Sequence, residues 1–355
     1  MMIVLGILLF AFLVVVHELG HFWVARRNGV EVEEFGIGFP PRVLSRRHGD
    51  TLYSLNLLPL GGFVKMKGES DSDRRPGSLG SASLWVKAKI LLAGVGMNVI
   101  AAFVIIFILA LTQLPTLIPG QYNIADDQTV IRDSVIVSDV LEDSAAQLSG
   151  VEPGDEIRRI DGERVESAAG LQDITSDRAG ETVAVEIVQD GRDRAVEVQL
   201  DDGDDGPLGV VPAEVQTSRY TWAAPLVAIG LTGQMIWLVL GAIGDIVIGL
   251  VSGAGAEAAE DVAGPVGIVA IFQGLSDVGL SYLFFLMATI SVSLAVFNAL
   301  PIPALDGGRL AVILGARVLG KNLSEKVESA IHGIGFLALI GLLILITYVD
   351  IQRFF

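Results

Sequence analysis

Four long runs of the chain carry almost no charge: roughly 2–25, 88–112, 279–300 and 330–349. About 20 helical residues cross the ~30 Å of bilayer hydrocarbon, so each run is long enough for one span. Backbone in hydrocarbon must satisfy its own hydrogen bonds, and runs of this length do so as helices. At 52% hydrophobic residues the chain is too apolar for an ordinary water-soluble enzyme. The pattern predicts an α-helical polytopic membrane protein with a four-span core. The first run is expected to be retained rather than cleaved as a leader. No basic residue precedes it, and no small-residue cleavage site follows.

Charge sets the expected sidedness. Residues 26–87 are rich in bases (Arg26, Arg27, Arg42, Arg46, Arg47, Lys65, Lys67, Arg74, Arg75 and Lys87), and bases outnumber acids there. By the positive-inside rule this loop is cytoplasmic. In 113–221 acids outnumber bases 24 to 8, so that segment is expected outside. Neither segment reads as a nucleic-acid surface. Arg309, Arg317, Lys321 and Lys326 place the loop after residue 300 inside. The stretch 253–278, with Glu257, Glu260, Asp261 and Asp277 and no base, falls outside.

That assignment leaves 222–252 with both ends outside. Some 31 residues are too few for two crossings of about 20 each with a turn. The expectation is one or two amphipathic or re-entrant helices in the outer leaflet, broken near Gly230, Gly241 and Gly244. A fifth span, with inverted topology beyond it, is the competing reading.

The region 122–210 reads as an inserted soluble domain of α+β type. "SVIVSDVL", "VAVEIVQD" and "RAVEVQL" alternate as strands do. "EDSAAQLSG" and "SAAGLQDITSDRAG" read as short helices, and "GVEPGDEIRRIDGERV" as a Pro-Gly turn, a strand and an Asp-Gly hairpin. This order, with "AAQLSGVEPGDEIRRIDGERV" at its centre, resembles a bacterial PDZ domain. Such domains take an extended peptide as an added strand. A small β-rich domain that binds nothing has the same pattern. "DDGDDG" after it reads as a solvated linker.

In 26–87, "EFGIGFPPRVL" and "DTLYSLNLLPLGGFVKM" read as strands broken at Pro40-Pro41 and Gly61-Gly62. "SLNLLPLGGFV" is very apolar for a cytoplasmic loop. A hairpin dipping toward a wet site and a loop packed on helix ends both fit.

The chemistry-bearing motif lies in the first apolar run, as "HELGH" from His17 to His21. Residues four apart share a helix face, so both imidazoles can bind one metal ion. Glu18 projects beside His21, placed to handle a water's proton without ligating. Ionisable groups inside a span are costly and are by default functional. The bland alternative is a packed, hydrogen-bonded His/Glu cluster. With no cysteine in the chain, any metal is held by His, Asp or Glu.

A catalytic zinc takes three protein ligands and keeps a position for water. The candidate third ligand is Asp306, in "FNALPIPALDGGRL" at the end of the third apolar segment (279–310). Pro301 and Pro303 interrupt the helix, and Gly307-Gly308 allow close backbone approach. His17 and His21 lie roughly 14 and 8 Å from Arg26 at 1.5 Å per residue. Asp306 precedes Arg309 by three residues, so both motifs fall in the same leaflet. A helix cap is the plainer role for Asp306. Asn298, still within the span, fits either substrate or oxyanion contact or a bond to a neighbouring helix. His48 reads as a solvated loop residue, and His332 lies near the start of the last span.

HELGH in the first span, "NALPIPALDGG" in the third and a PDZ-like insert after the second together resemble the site-2 proteases. Within these it looks like the bacterial RseP type of zinc metalloprotease of regulated intramembrane proteolysis. The resemblance implies one zinc held by His17, His21 and Asp306, with Glu18 as general base. It also implies a membrane-associated β-hairpin over 35–66, and an Asn298 that contacts substrate. Implied substrates are single-span membrane proteins already trimmed outside, notably anti-sigma factors, and remnant signal peptides. The implied setting is the bacterial plasma membrane, with the site near the cytoplasmic side and the PDZ-like domain outside, facing a peptide or a substrate ectodomain. Two departures stand out: one PDZ-like domain rather than two, and "LLAGVGMNVI" where relatives commonly carry Gly-Pro before the Asn matching Asn98. A PDZ-bearing membrane adaptor and a metal transporter are the readings from other classes. Neither needs a base such as Glu18 beside the metal.

Overall fold

The computed structural model describes residues 2–189, 191–202, 206–252, 278–321 and 323–354, together with Gly264, Gly267 and Ile268. These fall into two compact units. One is drawn from Met1–Ile106, Ala228–Gln273 and Leu286–Phe355, the other from Phe107–Val227 and Gly274–Phe285.

The helical unit contains the long apolar elements. α1 (Met2–Arg27) and α2 (Leu84–Leu111) bracket the first loop. Their apolar side chains point outward as well as inward: Phe12, Trp23, Ile100 and Ile108 are each more than half exposed. A water-soluble fold would bury such residues, whereas a lipid-facing helix leaves them out.

The loop between α1 and α2 holds two long strands, β1 (Val32–His48) and β2 (Thr51–Met66), paired antiparallel. The pair is folded over itself. Phe35 lies opposite both Val64 and Tyr53, and Ile37 opposite both Gly62 and Leu55. The register lapses between Phe39 and Arg42, where Pro40 and Pro41 offer no N–H to a ladder. The expected break at Gly61-Gly62 does not occur. β2 runs through both glycines, and Gly61 (φ +125°) is pressed on Val14 of α1. Ile37, Phe39, Val43, Leu44, Leu55, Leu57 and Leu58 remain exposed on this hairpin.

The second unit is a sheet with two short helices. Its strands are β3 (Leu114–Pro115), β4 (Thr129–Val140), β5 (Glu156–Ile160), β6 (Glu163–Arg164), β7 (Thr182–Gln189), β8 (Arg192–Gln199) and β9 (Val210–Arg219). Their order is β3-β9-β4-β5-β7-β8, with β6 paired to β5. α3 (Ala145–Leu148) and α4 (Ala168–Ser176) are N-capped by Ser144 and Ser167, whose hydroxyls accept from Gln147 N and Gly170 N. The core is the alternating set Val135, Val137, Ile157, Val183, Val185 and Ile187, closed by Leu171 and Leu208. Asp161-Gly162 turns β5 into β6 with both φ positive, as a two-residue hairpin requires. The sheet outruns the limits 122–210, because β9 pairs with β4 from Thr129↔Arg219 to Val140↔Val210. Pro212 in "VVPAEVQTSR" masks that strand in the sequence. Part of the "DDGDDG" linker, 203–205, lies outside the described residues.

The remaining helices are α5 (Ala224–Ser252), α6 (Leu280–Ala299), α7 (Asp306–Val318) and α8 (Glu325–Phe354). Five described helices are long and apolar enough to cross a membrane, including Ala224–Gly249, where the sequence pointed to four. α5 is one continuous 29-residue helix, and the breaks expected at Gly230, Gly241 and Gly244 are absent. A glycine costs a helix only about 1 kcal/mol. In an apolar setting, where every freed N–H must find a partner, that is too little to interrupt the hydrogen-bond ladder.

Candidate metal centre

α1 carries His17 and His21 on one face, and both are buried. Their Nε2 atoms lie 3.1 Å apart. Asp306 closes the group: its Oδ2 is 3.1 Å from His17 Nε2 and 3.2 Å from His21 Nε2. Among the described residues this is the His/Asp/Glu group gathered tightly enough to hold a metal ion. The sequence had brought together these same three residues.

α2 sets how the imidazoles face. Ile90, Gly94 and Asn98 form a stripe at four-residue spacing. The Ile90 carbonyl lies 2.7 Å from His21 Nδ1 and accepts its N–H. That leaves the lone pair of neutral His21 on Nε2, facing the group. The Asn98 amide lies 3.3 Å from His17 Nδ1, and Asn98 itself is fully buried. The amide nitrogen faces the ring, and Oδ1 has no hydrogen-bond partner among the described residues. Exchanging the two amide atoms lets Oδ1 accept from Nδ1–H and fixes the ring so that Nε2 is free. Both histidines then carry the outer partner that metal-ligating histidines ordinarily have.

The close approach of α1 and α2 depends on two glycines. A Cβ on Gly20 would sit 2.5 Å from the Ala93 carbonyl oxygen. One on Gly94 would sit 2.5 Å from both His17 Cε1 and His21 Nε2. α6 adds to the packing through Ser291, whose hydroxyl donates to the Asn98 carbonyl at 2.9 Å.

Asp306 is aimed by a tight loop. α6 stops at Ala299, Pro301 and Pro303 forbid its continuation, and α7 starts at Asp306. Ala304 takes φ +83°, and its N–H donates to His332 Nδ1 of α8 at 3.1 Å. Any Cβ on Gly307 or Gly308 would collide with the backbone of Ala299 or Ile302. His332, with no partner visible in the sequence, thus props the loop that carries Asp306.

Glu18 is half-buried beside the group. Its carboxylate lies within electrostatic reach of both histidines and Asp306, close to the backbone N–H of Val64 on β2. A Cβ on Gly62 would lie 3.8 Å from its Cγ. Asn298 stands apart: its amide donates to Leu294 O of its own helix at 3.0 Å, and among the described residues it neither joins the group nor bonds a neighbouring helix. His48 ends β1 in an exposed position, as expected of a solvated loop residue.

The residues fit a zinc ion. Ligand distances near 2.0–2.1 Å in a tetrahedral site imply ligand atoms roughly 3.3 Å apart, close to the spacing seen. Two imidazole nitrogens and a carboxylate oxygen also cannot all satisfy one another. With His21 Nδ1–H already committed, three electron-rich atoms converge on one point, and a cation there resolves the repulsion.

The profile of peptidase family M50 matches residues 5–342. CPE1693, a Clostridium perfringens protein assigned as a zinc metalloprotease, is 33% identical, over 99% of this chain and 98% of its own length. "Zinc metalloprotease RasP" of Geobacillus kaustophilus is 26% identical over 98% and 97% of the two chains. "Regulator of sigma-W protease RasP" of Bacillus subtilis is 24% identical over 98% of each.

Proposed function

The chain belongs to peptidase family M50, and from that premise we propose that it is a zinc endopeptidase that hydrolyses peptide bonds within transmembrane segments of other proteins. The observation that carries this reading is the convergence of Asp306, at the start of α7, on His17 and His21 beside Glu18 of α1, a helix apolar enough to span a membrane. Those three residues would hold one zinc per chain, which when bound would supply Lewis acidity toward water and the scissile carbonyl. Glu18 takes the proton of the attacking water and delivers it to the leaving amine. The Val64 amide keeps the Glu18 carboxylate turned toward the reacting atoms. Ile90 and Asn98 hold the imidazoles, and Asn98 does so without touching substrate. Asn298 turns from Leu294 to contact substrate backbone.

The substrates are single-span membrane proteins already trimmed outside, of the anti-sigma-factor kind, and remnant signal peptides. The Bacillus subtilis relative's name, regulator of sigma-W protease, supports this choice. The setting is a bacterial plasma membrane. The basic hairpin and the site lie toward the cytoplasm, and the β-rich domain lies outside.

Two observations support that sidedness. Asp306 follows the end of α6 and meets His17 in the C-terminal half of α1, so α6 runs in the same sense as α1. At the far end of α8, buried Asp350 accepts from Gly264 N at 3.1 Å and Gly267 N at 2.9 Å. From Glu328 to Asp350 is roughly 33 Å along a helix, about one bilayer core. This supports Gly264 on the outer side, and with it the reading that α5, despite its length, begins and ends outside. Cysteines at Asp202 and at Glu257, the latter outside the described residues, are expected to label from outside in intact cells, and one at Ser72 is not. Labelling of 202 and 257 from opposite sides would make α5 a span.

The external domain is PDZ-like, with a cleft of about 140 Å³ between α4 and the Leu208–Val210 segment, lined by Leu171 and Thr175. The acidic domain acts on the outer end of the substrate as a size filter. The experiment on the whole reading compares intact and trimmed single-span substrates in vesicles, using the full chain and one lacking 130–205. Trimmed substrate should be cleaved by both, and intact substrate only after deletion. Selective loss of trimmed-substrate cleavage on deletion would make the domain a peptide receptor instead. No cleavage of any transmembrane segment by zinc-loaded enzyme would overturn the proposal.

A further inference from the structure

The strap between β2 and α2 contains a partly buried ionic junction that the chemistry above does not use. Glu69 bonds in two directions. Its Oε1 accepts from the backbone N–H of Met66, the last residue of β2, at 3.0 Å. Its Oε2 accepts from Arg309 Nη1 at 3.0 Å, and its main-chain carbonyl accepts from Arg309 Nη2 at 2.6 Å. Arg309 is one turn beyond Asp306 on α7. Its Nε is buried with no hydrogen-bond partner among the described residues, so the guanidinium, its side chain 21% exposed, leans on Glu69 for its charge pairing.

The strap is itself held at both flanks. The Glu328 carboxylate of α8 accepts from Ser70 Oγ at 2.9 Å and from Asp71 N at 2.8 Å. Lys87 at the start of α2 is 1% exposed and donates to Asp71 and to the Gly80 carbonyl. Glu69 is thus a fixed point between three helices. On one side, through Met66, it continues into β2, where Val64 lies beside Glu18. On the other, through Arg309, it continues into the first turn of α7, where Asp306 meets the two histidines.

We propose that Glu69 and Arg309 are positioning residues that set Asp306 against the His17–His21 pair and keep it in register with Glu18. The two sides of the centre come from chain segments nearly 290 residues apart. α7 has no side-chain cap, since Leu305 occupies its N-cap position. The bidentate grip on Arg309 substitutes for a cap in fixing the rotation of the helix about its axis. A lysine there retains the charge but loses the fork that bonds carboxylate and carbonyl together.

The inference rests on Asp306 being a zinc ligand, and the experiment separates the two. Full-length chain, purified with zinc in detergent, is mixed with excess chelator, and zinc release is timed. kcat and KM are measured on a trimmed substrate. Glu69→Gln and Arg309→Lys are each expected to release zinc about tenfold faster, with kcat lowered by a similar factor and KM within twofold. The double variant should be little worse than the worse single one, because both break the same junction. Glu33→Gln, which breaks the exposed Lys65–Glu33 pair (2.9 Å), should release zinc at the wild-type rate. Asp306→Ala run in parallel should hold no zinc. If it retains zinc, the ligand assignment fails and the inference falls with it. If Asp306→Ala is zinc-free while Glu69→Gln and Arg309→Lys keep wild-type release and kcat, the ligand assignment stands and the positioning role is overturned. Should Glu69→Gln not fold, Arg309→Lys decides alone.

Discussion

Glu18→Gln is expected to lower cleavage of a transmembrane substrate by a factor on the order of 100 to 10,000, the range a positioned general base contributes, while bound zinc stays at one per chain. The amide matches the carboxylate in size and can still accept from Val64 N–H, so the packing against Gly62 is undisturbed. It cannot take a proton from water at neutral pH. Asp306→Ala should behave differently. Removing the carboxylate leaves two imidazole nitrogens 3.1 Å apart with no anionic partner, and zinc should be lost together with activity. Metal content and rate measured on the same preparations separate the roles. Turnover by Glu18→Gln within tenfold of the parent would reject it as the base. Stoichiometric zinc in Asp306→Ala would reject it as a ligand.

The parts of this centre that were legible in the sequence are those that periodicity encodes. HELGH declares one helix face, and its setting in an apolar run makes the charge cost informative. Asp306 was legible because two prolines and two glycines around a carboxylate have no use inside a plain span. What was not legible lies across helices. Ile90 contributes a main-chain carbonyl, which any residue type possesses. Gly94 looks like one more small residue in "LLAGVGMNVI", and its meaning appears only when His17 and His21 are found against it. Asn98 is a buried amide within a span, a signal of the same kind as the histidines, but its partner on another helix is not encoded locally. The sheet of the second unit was read from alternation at β4, β7 and β8 and from turn residues at β5 and β6; the two-residue β3 was not read, and the proline of β9 conceals a strand that lies beside β4 for its whole length. For α5, three glycines were read as interruptions, but they do not outweigh the helix ladder.

Gly94→Ala should remove zinc and activity together, and it is the sharpest test of the α1–α2 contact. Alanine is the better helix former by about 1 kcal/mol, so on propensity alone the substitution would stabilise α2. Here its methyl group would fall 2.5 Å from His17 Cε1 and from His21 Nε2, well inside van der Waals contact. Neither ring can retreat freely, because His21 is tied to Ile90 and His17 to Asn98. Either α1 and α2 separate or the rings turn. Both movements spread the three ligand atoms, and a site displaced by about 1 Å from its required geometry no longer holds the ion well. Gly96, two residues further on, is the internal control: a Cβ there meets nothing within 4 Å. Gly96→Ala gains the same helix propensity and should retain zinc and wild-type cleavage. The pair thus separates steric exclusion at the centre from any general effect of alanine on α2. Zinc-loaded, active Gly94→Ala would mean that the helices approach less closely than this geometry requires, and that the tight stripe Ile90–Gly94–Asn98 is not what orients the histidines.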